Sequence, residues 1–481
     1  MNRSIRHVWM AAVAMFAVLL LALTSIMFFQ QRSLAADPWN TRTLYEQFGR
    51  DRGSILAGGE EIARSVPTEG DYAFAREYPQ GDLYSEVTGY FSPVYGATAL
   101  EQEMGDELSG SSDDQFYNRV MSTLSGEQQT GASVETTLDP ELQQIAHDSL
   151  QGRQGAIVAI EPDTGRILAM ASSPGFDPNK MSSHDTESVM AASEAYSSDP
   201  AQPLVNRTIG GDLYAPASTF KLIDTVAALE SGEYTTDTEI PNPQELELPG
   251  TSITLPNYRG GPCDARDVAD LQFALENSCN VPFAQIAMDL GEDRIAQTAE
   301  NFGYGQDLDI PMSVTPSSFP EGMTDAELAM ASIGQYDVRS TPMQVAMISA
   351  ALGNDGVLMK PQLVDQVRSS DLSVIQDFEP EELNQATSAD VADTLEDLMV
   401  SDVDNGIARG AAVPGHSVAG KTGTAEIGSE TGLTDSWFTG FAPADDPEIA
   451  IAVVFEDVDT TTASTLTSPT AQRMFEEVLT R

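Results

Sequence analysis

Pro216-Ala217-Ser218-Thr219-Phe220-Lys221-Leu222-Ile223-Asp224-Thr225-Val226-Ala227-Ala228-Leu229-Glu230-Ser231-Gly232 reads as a buried helix. Phe220, Leu222, Ile223, Val226 and Leu229 supply its apolar positions, and Gly232 is a C-terminal stop. Within that apolar wall stand two polar groups three positions apart, Ser218 and Lys221. Positions i and i+3 share a helix face, which brings Oγ and Nζ within hydrogen-bond reach. A lysine desolvated there, near the positive end of the helix dipole, gives up its proton more readily, and the neutral amine is a base toward the serine. The serine amide at the helix start can donate to a developing oxyanion. The plain alternative, a capping serine beside a surface lysine, fits poorly with the apolar neighbours of Lys221.

Two further patterns lie downstream. The chain has four lysines, Lys180, Lys221, Lys360 and Lys421, and the last opens Lys421-Thr422-Gly423-Thr424. Between the two motif lysines lies Ser278-Cys279-Asn280. Each pattern alone carries little. Ser278 and Asn280 would serve as capping residues, and Thr422 and Thr424 suit a strand on propensity. The order S-x-x-K, S-x-N, K-T-G is far more specific. Ser278-Cys279-Asn280 falls between two helical patterns, Val268–Glu276 and Pro282–Leu290, where a loop presents one hydroxyl and one amide. The hydroxyl can pass a proton to a departing amine, and the amide can align a peptide group. On a strand, Gly423 permits close backbone approach, the Thr424 N–H can complete an oxyanion pair, and Lys421 with the threonine hydroxyls suits a carboxylate. Asp435, Trp437 and Phe438 read as packing and turn residues, and His416 as incidental.

Around this centre the pattern is α+β. Asp139-Pro140 opens an amphipathic helix over 140–150, with aspartate as cap and proline in the first turn. Ala156–Glu161 and Ile167–Ser172 form a hairpin. Ser417–Ile427, Ser436–Phe441 and Ile449–Phe455 are strands, and a last helix runs from Pro469 to Leu479. Residues 37–104 hold short strand-like patterns, Ile62–Val66 and Leu83–Tyr90 among them. Residues 105–133 read as a connection, with a helix-like patch over Phe116–Leu124. No internal repeat is visible.

Val8–Phe29 is an uncharged run long enough for a membrane-spanning helix. Arg3 and Arg6 precede it, which places residues 1–7 in the cytoplasm and the rest outside. A cleaved signal peptide ending near Ser33-Leu34-Ala35-Ala36 is the alternative, but the apolar run is longer than such peptides carry. All 74 acidic residues follow residue 36, with all but three of the 24 Lys and Arg. So acidic a surface argues against nucleic acid and anionic lipid as partners. No metal-ligand spacing and no cofactor motif appears. Cys263 and Cys279 lie in the exported part, where a disulfide is plausible; two separate thiols are equally compatible.

The three motifs together resemble those of the class B penicillin-binding proteins, and more closely the short actinobacterial penicillin-binding protein A type. Arg52-Gly53-Ser54-Ile55 is similar to the family's pedestal motif, although Leu56-Ala57-Gly58-Gly59 replaces its usual continuation. Thr137-Leu138-Asp139-Pro140 and Ala215–Lys221 resemble two further family segments. Ser332-Ile333-Gly334-Gln335 and Thr341-Pro342-Met343-Gln344 match a stretch without an evident chemical role. The resemblance implies an antiparallel sheet with flanking helices and an all-helical subdomain, here over 134–481. A pedestal or dimerisation domain with its linker would occupy 37–133, behind one transmembrane helix at 8–29. It further implies a peptidoglycan D,D-transpeptidase. Ser218 would be acylated by a stem peptide or a β-lactam, Lys221 would be the base, and Ser278 and Lys421 would move protons. Asn280, Thr422, Gly423 and Thr424 would bind substrate. A membrane glycan polymerase of the SEDS family is the implied partner. A serine β-lactamase and a β-lactam sensor are the alternatives, but the first lacks a pedestal and the second usually carries several spans.

Overall fold

The computed structural model describes residues 3–29, 48–70, 72–115, 130–150, 152–257, 261–427, 432–463 and 465–481. The patch at Phe116–Leu124 and the segment Ser33–Ala36 lie outside them. Helix α1 (Arg3–Thr24) continues as a π-helical segment, Ser25–Phe29. Ile5–Phe29 has mean hydropathy 2.6 and is long and apolar enough to cross a membrane.

The pedestal begins with strands β1 (Ile55–Ala57), β2 (Glu60–Pro67) and β3 (Phe74–Glu77), and β4 (Ser133–Thr136) joins them. The buried Glu101 carboxylate lies between two arginines there, 2.6 Å from Arg52 Nε and 2.5 Å from Arg76 Nε. Leu83–Tyr90, expected as strand-like, is instead a 3₁₀ turn (Gly81–Tyr84) followed by a helical turn (Ser85–Thr88). Leu83, Tyr84 and Val87 are buried together, a spacing that serves a helix as well as a strand. Gly89, at φ 64°, ends the turn, and a Cβ on it would lie 2.3 Å from Thr98 O.

Next in the chain come α2 (Pro140–Leu150), β5 (Gly155–Ile160) and β6 (Ile167–Ser173). Asp139 Oδ1 accepts from Glu141 N and Leu142 N, the cap expected for α2. A mostly helical region follows: α3 (Lys221–Ser231), α4 (Leu271–Glu276), α5 (Asn280–Leu290) and α6 (Pro342–Leu352). Val268 and Ala269, expected within α4, form a bridge to Ile240 and Pro241 instead. Asp270 caps the helix by accepting from Phe273 N, so the helix starts at Leu271, three residues later than expected. Strands β7 (Val364–Arg368) and β8 (Val374–Asp377) return to the pedestal, giving a six-stranded sheet in the order β8-β7-β4-β1-β2-β3. Strand β4 is parallel to β1 and antiparallel to β7, so Val134 faces both Ile55 and Val367. A boundary at residue 133 therefore cuts through β4.

The chain closes with α7 (Ala389–Asp404), β9 (Ala419–Glu426), β10 (Leu433–Ala442), β11 (Ile449–Asp459) and α8 (Thr467–Leu479). The second sheet is antiparallel throughout, ordered β9-β10-β11-β5-β6. Strands β5, β6 and β11 are mostly apolar at consecutive positions because both faces are covered. Ala156, Val158, Ala452 and Val454 join one core with α6, while Ile157, Ala159, Ile451 and Val453 join another with α2 and α8. Helix α6 is buried along its whole length. Strand β9 is left at the sheet edge.

Candidate active site

Ser218 sits in a 3₁₀ turn, Ala217–Thr219, that leads into α3. The turn is not relaxed. Ala217 has φ 50°, a conformation uncommon for a residue with a side chain. Its N–H donates to Gly334 O at 3.0 Å. Gly334 itself has φ 70°, and a Cβ there would lie 2.0 Å from Ala217 O. The Ser332–Gln335 stretch thus supports the backbone under the serine. On the other side Trp437 Nε1 donates to Ala215 O at 3.1 Å. Ser218 is half-buried, and its Oγ has no hydrogen bond among the described residues.

Lys221, the first residue of α3, is fully buried. Its Nζ reaches across to the S-x-N loop, 2.9 Å from Ser278 O, 3.3 Å from Ser278 Oγ and 2.8 Å from Asn280 Oδ1. Burial pushes its pKa well below that of a free lysine, and the Lys421 charge pushes in the same direction. Two carbonyl acceptors engage two N–H bonds of a neutral amine, leaving its lone pair for a hydroxyl. Asp224, one turn along α3, is also buried, and burial raises its carboxyl well above the usual range.

Ser278 is a second residue with a side chain at positive φ, 51°, and Asn280 opens α5. The helix start is capped from outside. Asn257 Oδ1 accepts from Asn280 N and Val281 N at 2.8 and 3.1 Å. Asn257 Nδ2 donates to Asn242 Oδ1, and Asn242 Nδ2 donates to Cys263 O. Cys263 and Cys279 are disulfide-bonded, with Cα atoms 5.7 Å apart.

The K-T-G residues lie on β9, with Lys421 opposite Thr439 and Gly423 opposite Trp437. A Cβ on Gly423 would meet Pro216 O at 3.1 Å and Thr219 Cγ2 at 3.2 Å. Glycine therefore lets this edge strand lie against the serine turn. Thr424 is exposed and Thr422 half-buried. Lys421 is fully buried, with Nζ 3.3 Å from Asp402 Oδ2. Sequence reasoning missed Asp402 and Asn257, and it singled out the Ser332–Gln335 stretch without finding the role that Gly334 plays there. The signal for Asp402 was indirect: two buried lysines in one site demand an anion nearby. His416 is exposed, in keeping with an incidental role.

A buried lysine bonded to both ends of an S-x-N loop, beside a serine and a K-T-G edge strand, defines the class of penicillin-binding acyl-serine transferases. Residues 155–479 match the penicillin-binding protein transpeptidase domain, and residues 52–134 match the penicillin-binding protein A dimerisation domain. The chain belongs to the penicillin-binding protein transpeptidase family. It is 39% identical to the peptidoglycan D,D-transpeptidase PbpA of Mycolicibacterium smegmatis, over 95% of this chain and 94% of that one. It is 38% identical to PbpA of Mycobacterium tuberculosis over 100% and 99% of the two chains. The ceftriaxone acyl-enzyme of penicillin-binding protein A from M. tuberculosis has the same fold, with TM-score 0.87 at 37% identity. That match covers 91% of this chain and 100% of that structure.

Proposed function

We propose that the chain is a membrane-anchored peptidoglycan D,D-transpeptidase working through an acyl-enzyme on Ser218. The observation that carries this reading is Lys221, buried and hydrogen-bonded to Ser278 and Asn280 one helical turn from the serine. Ser218 Oγ attacks the penultimate D-alanine carbonyl of a stem peptide, and Lys221 Nζ takes the hydroxyl proton. The Ser218 and Thr424 N–H groups stabilise the oxyanion. Ser278, in contact with Nζ, passes the proton to the departing D-alanine amine. The amine of a neighbouring stem peptide then attacks the ester and restores Ser218. Asn280 aligns the donor peptide along the β9 edge, while Lys421, Thr422 and Thr424 receive its terminal carboxylate. A β-lactam enters the same sequence with its ring amide as the scissile bond.

Arg3 and Arg6 ahead of the apolar helix favour a cytoplasmic N-terminus, leaving the transpeptidase outside. The likeness of residues 52–134 to a dimerisation domain supports a docking role for the pedestal, with a SEDS-family glycan polymerase as partner. Membranes carrying wild type or Ser218→Ala, labelled with fluorescent penicillin, test the central claim. Wild type should label and the variant should not, with the adduct on the tryptic peptide 208–221. An adduct on any other residue would sink the assignment.

A further inference from the structure

The two lysines of this site must differ in charge for the proposed chemistry to run. Lys221 has to be neutral to accept a proton, and Lys421 has to be an ammonium to receive a carboxylate. Both are fully buried, and burial pushes both toward the neutral form. Their polar neighbours differ. Lys221 is bonded only to uncharged groups, the Ser278 carbonyl, the Asn280 amide oxygen and the Ser278 hydroxyl, the last able to donate to a neutral amine. Lys421 faces Asp402 Oδ2 at 3.3 Å and Thr422 O at 3.3 Å.

Asp402 is built into place. It lies in the last turn of α7, fully buried. Its Oδ1 accepts from Ile407 N at 2.9 Å and Ala408 N at 3.1 Å, while Oδ2 is left to Lys421 alone among the described residues. A Cβ on Gly406 would lie 2.4 Å from Oδ1, so the loop closes directly over the carboxylate. Other ionisable groups near Lys421 do not replace it. Helix α3 contributes Lys221, a like charge if protonated, and Asp224, whose carboxyl burial pushes well above the usual range; burial also raises Asp402, to about 6, but Lys421 and the Ala408 and Ile407 N–H groups draw it back. Strand β10 contributes Asp435, opposite Ala425 further along β9.

We propose that Asp402 is a positioning residue that holds Lys421 as the charged lysine of the pair, leaving Lys221 as the neutral one. This rests on the transpeptidase reading above. The neighbouring ammonium also disfavours a proton on Lys221, more strongly than either Asp224 or Asp402 favours one, so the Asp402 carboxylate acts on Lys221 chiefly through Lys421.

Asp402→Asn tests the proposal. The asparagine Oδ1 keeps both amide bonds, and its Nδ2 turns a donor toward Nζ, which drives Lys421 to the neutral, accepting form. Acylation rates are measured from pH 6 to pH 9 with benzylpenicillin and with its methyl ester, which lacks the carboxylate. Wild type should favour the acid by at least about tenfold, the order expected of a charge-assisted hydrogen bond. Asp402→Asn should lose that preference and move the alkaline limb of the profile to lower pH by about one unit or more. A uniform fall at every pH with the preference intact overturns the proposal.

A second comparison uses Lys421→Arg, because arginine stays charged without a partner. Adding Asp402→Asn to Lys421→Arg should cost less than about threefold, and a cost equal to that in the lysine background overturns the proposal. Should these asparagine variants not fold, wild type alone decides. A preference for the acid that persists at pH 8 supports a partnered ammonium, since an isolated buried lysine titrates as low as about pH 5–6, and its absence at pH 8 overturns the idea. Failure of the transpeptidase reading is distinct: wild type would then show no adduct on Ser218.

Discussion

Replacing Gly334 with alanine should disable acylation without touching a catalytic group. Gly334 has φ 70°, and an alanine there carries roughly 1–2 kcal/mol of strain. The larger effect is steric. The new Cβ would lie 2.0 Å from Ala217 O and 2.6 Å from Ala217 C and N, all backbone atoms that cannot swing away. Ordinary contact begins at 3.4 Å, so the turn must retreat by more than about 1 Å to accommodate it. Ser218 follows Ala217 directly, and a displacement of about 1 Å in a reacting group costs on the order of 100-fold. Gly232→Ala is the matched control. Gly232 also has φ 70°, but nothing lies within 4 Å of its Cβ position. Both variants should melt a few degrees below wild type. Stopped-flow acylation by a fluorescent penicillin should fall about 100-fold in Gly334→Ala and stay near wild type in Gly232→Ala. A folded Gly334→Ala protein that acylates within about threefold of wild type would refute the idea that this glycine sets the serine's position.

Lys221→Ala should cut acylation by about 10²–10⁴-fold, the usual worth of a general base, and a rate close to wild type would remove Lys221 from that role. Burial pushes the Glu86 carboxyl up to about 8, with opposing hydrogen bonds from Ser172 N and from the Ser85 and Gln143 side chains. A raised carboxyl pKa favours the protonated folded state, so its contribution is full below about pH 4.5 and is lost as pH rises toward 8. Glu86→Gln should therefore flatten the fall in melting temperature between pH 5 and pH 8, and parallel curves for the two proteins would count against it. Cys263 and Cys279 close a loop of about 15 residues, for which chain entropy gives roughly 3 kcal/mol. Alkylation of the non-reduced, denatured protein should label neither cysteine; two labels would show no bridge.

The chemistry was more legible in the sequence than the supports that hold it. Ser218, Lys221, Ser278, Asn280 and Lys421 stand in short motifs whose order carries the information, and the structure brings Lys221 to both ends of the S-x-N loop. Strands β5, β6 and β11 of the second sheet were legible because each holds a mostly apolar run, and β9 because it carries the K-T-G motif. Asp402 was not, since the chain has 74 acidic residues and only burial separates Asp402 from its neighbours on α7. Gly334 stood in a stretch that could be matched but not given a role, and no local pattern pointed to Asn257, because both act through backbone contacts with segments far away in the chain. Leu83–Tyr90 misled because its apolar spacing satisfies two periodicities at once. The placement of β7 and β8 in the pedestal sheet was hidden for a different reason: β4, the strand that β7 joins, lies more than 200 positions earlier.

That separation also sets an order of events during synthesis. Strand β4 can pair with β1 once about 140 residues have been made, but its other edge waits for β7, about 230 residues later. At the 5–20 residues per second typical of translation, the wait is about 10–50 s. Throughout that interval a row of free backbone N–H and C=O groups stands open on the nascent pedestal, a template for pairing with any extended chain nearby. The pedestal is encoded first but cannot be completed first. A ribosome that stops before residue 364 releases a chain with that edge still open.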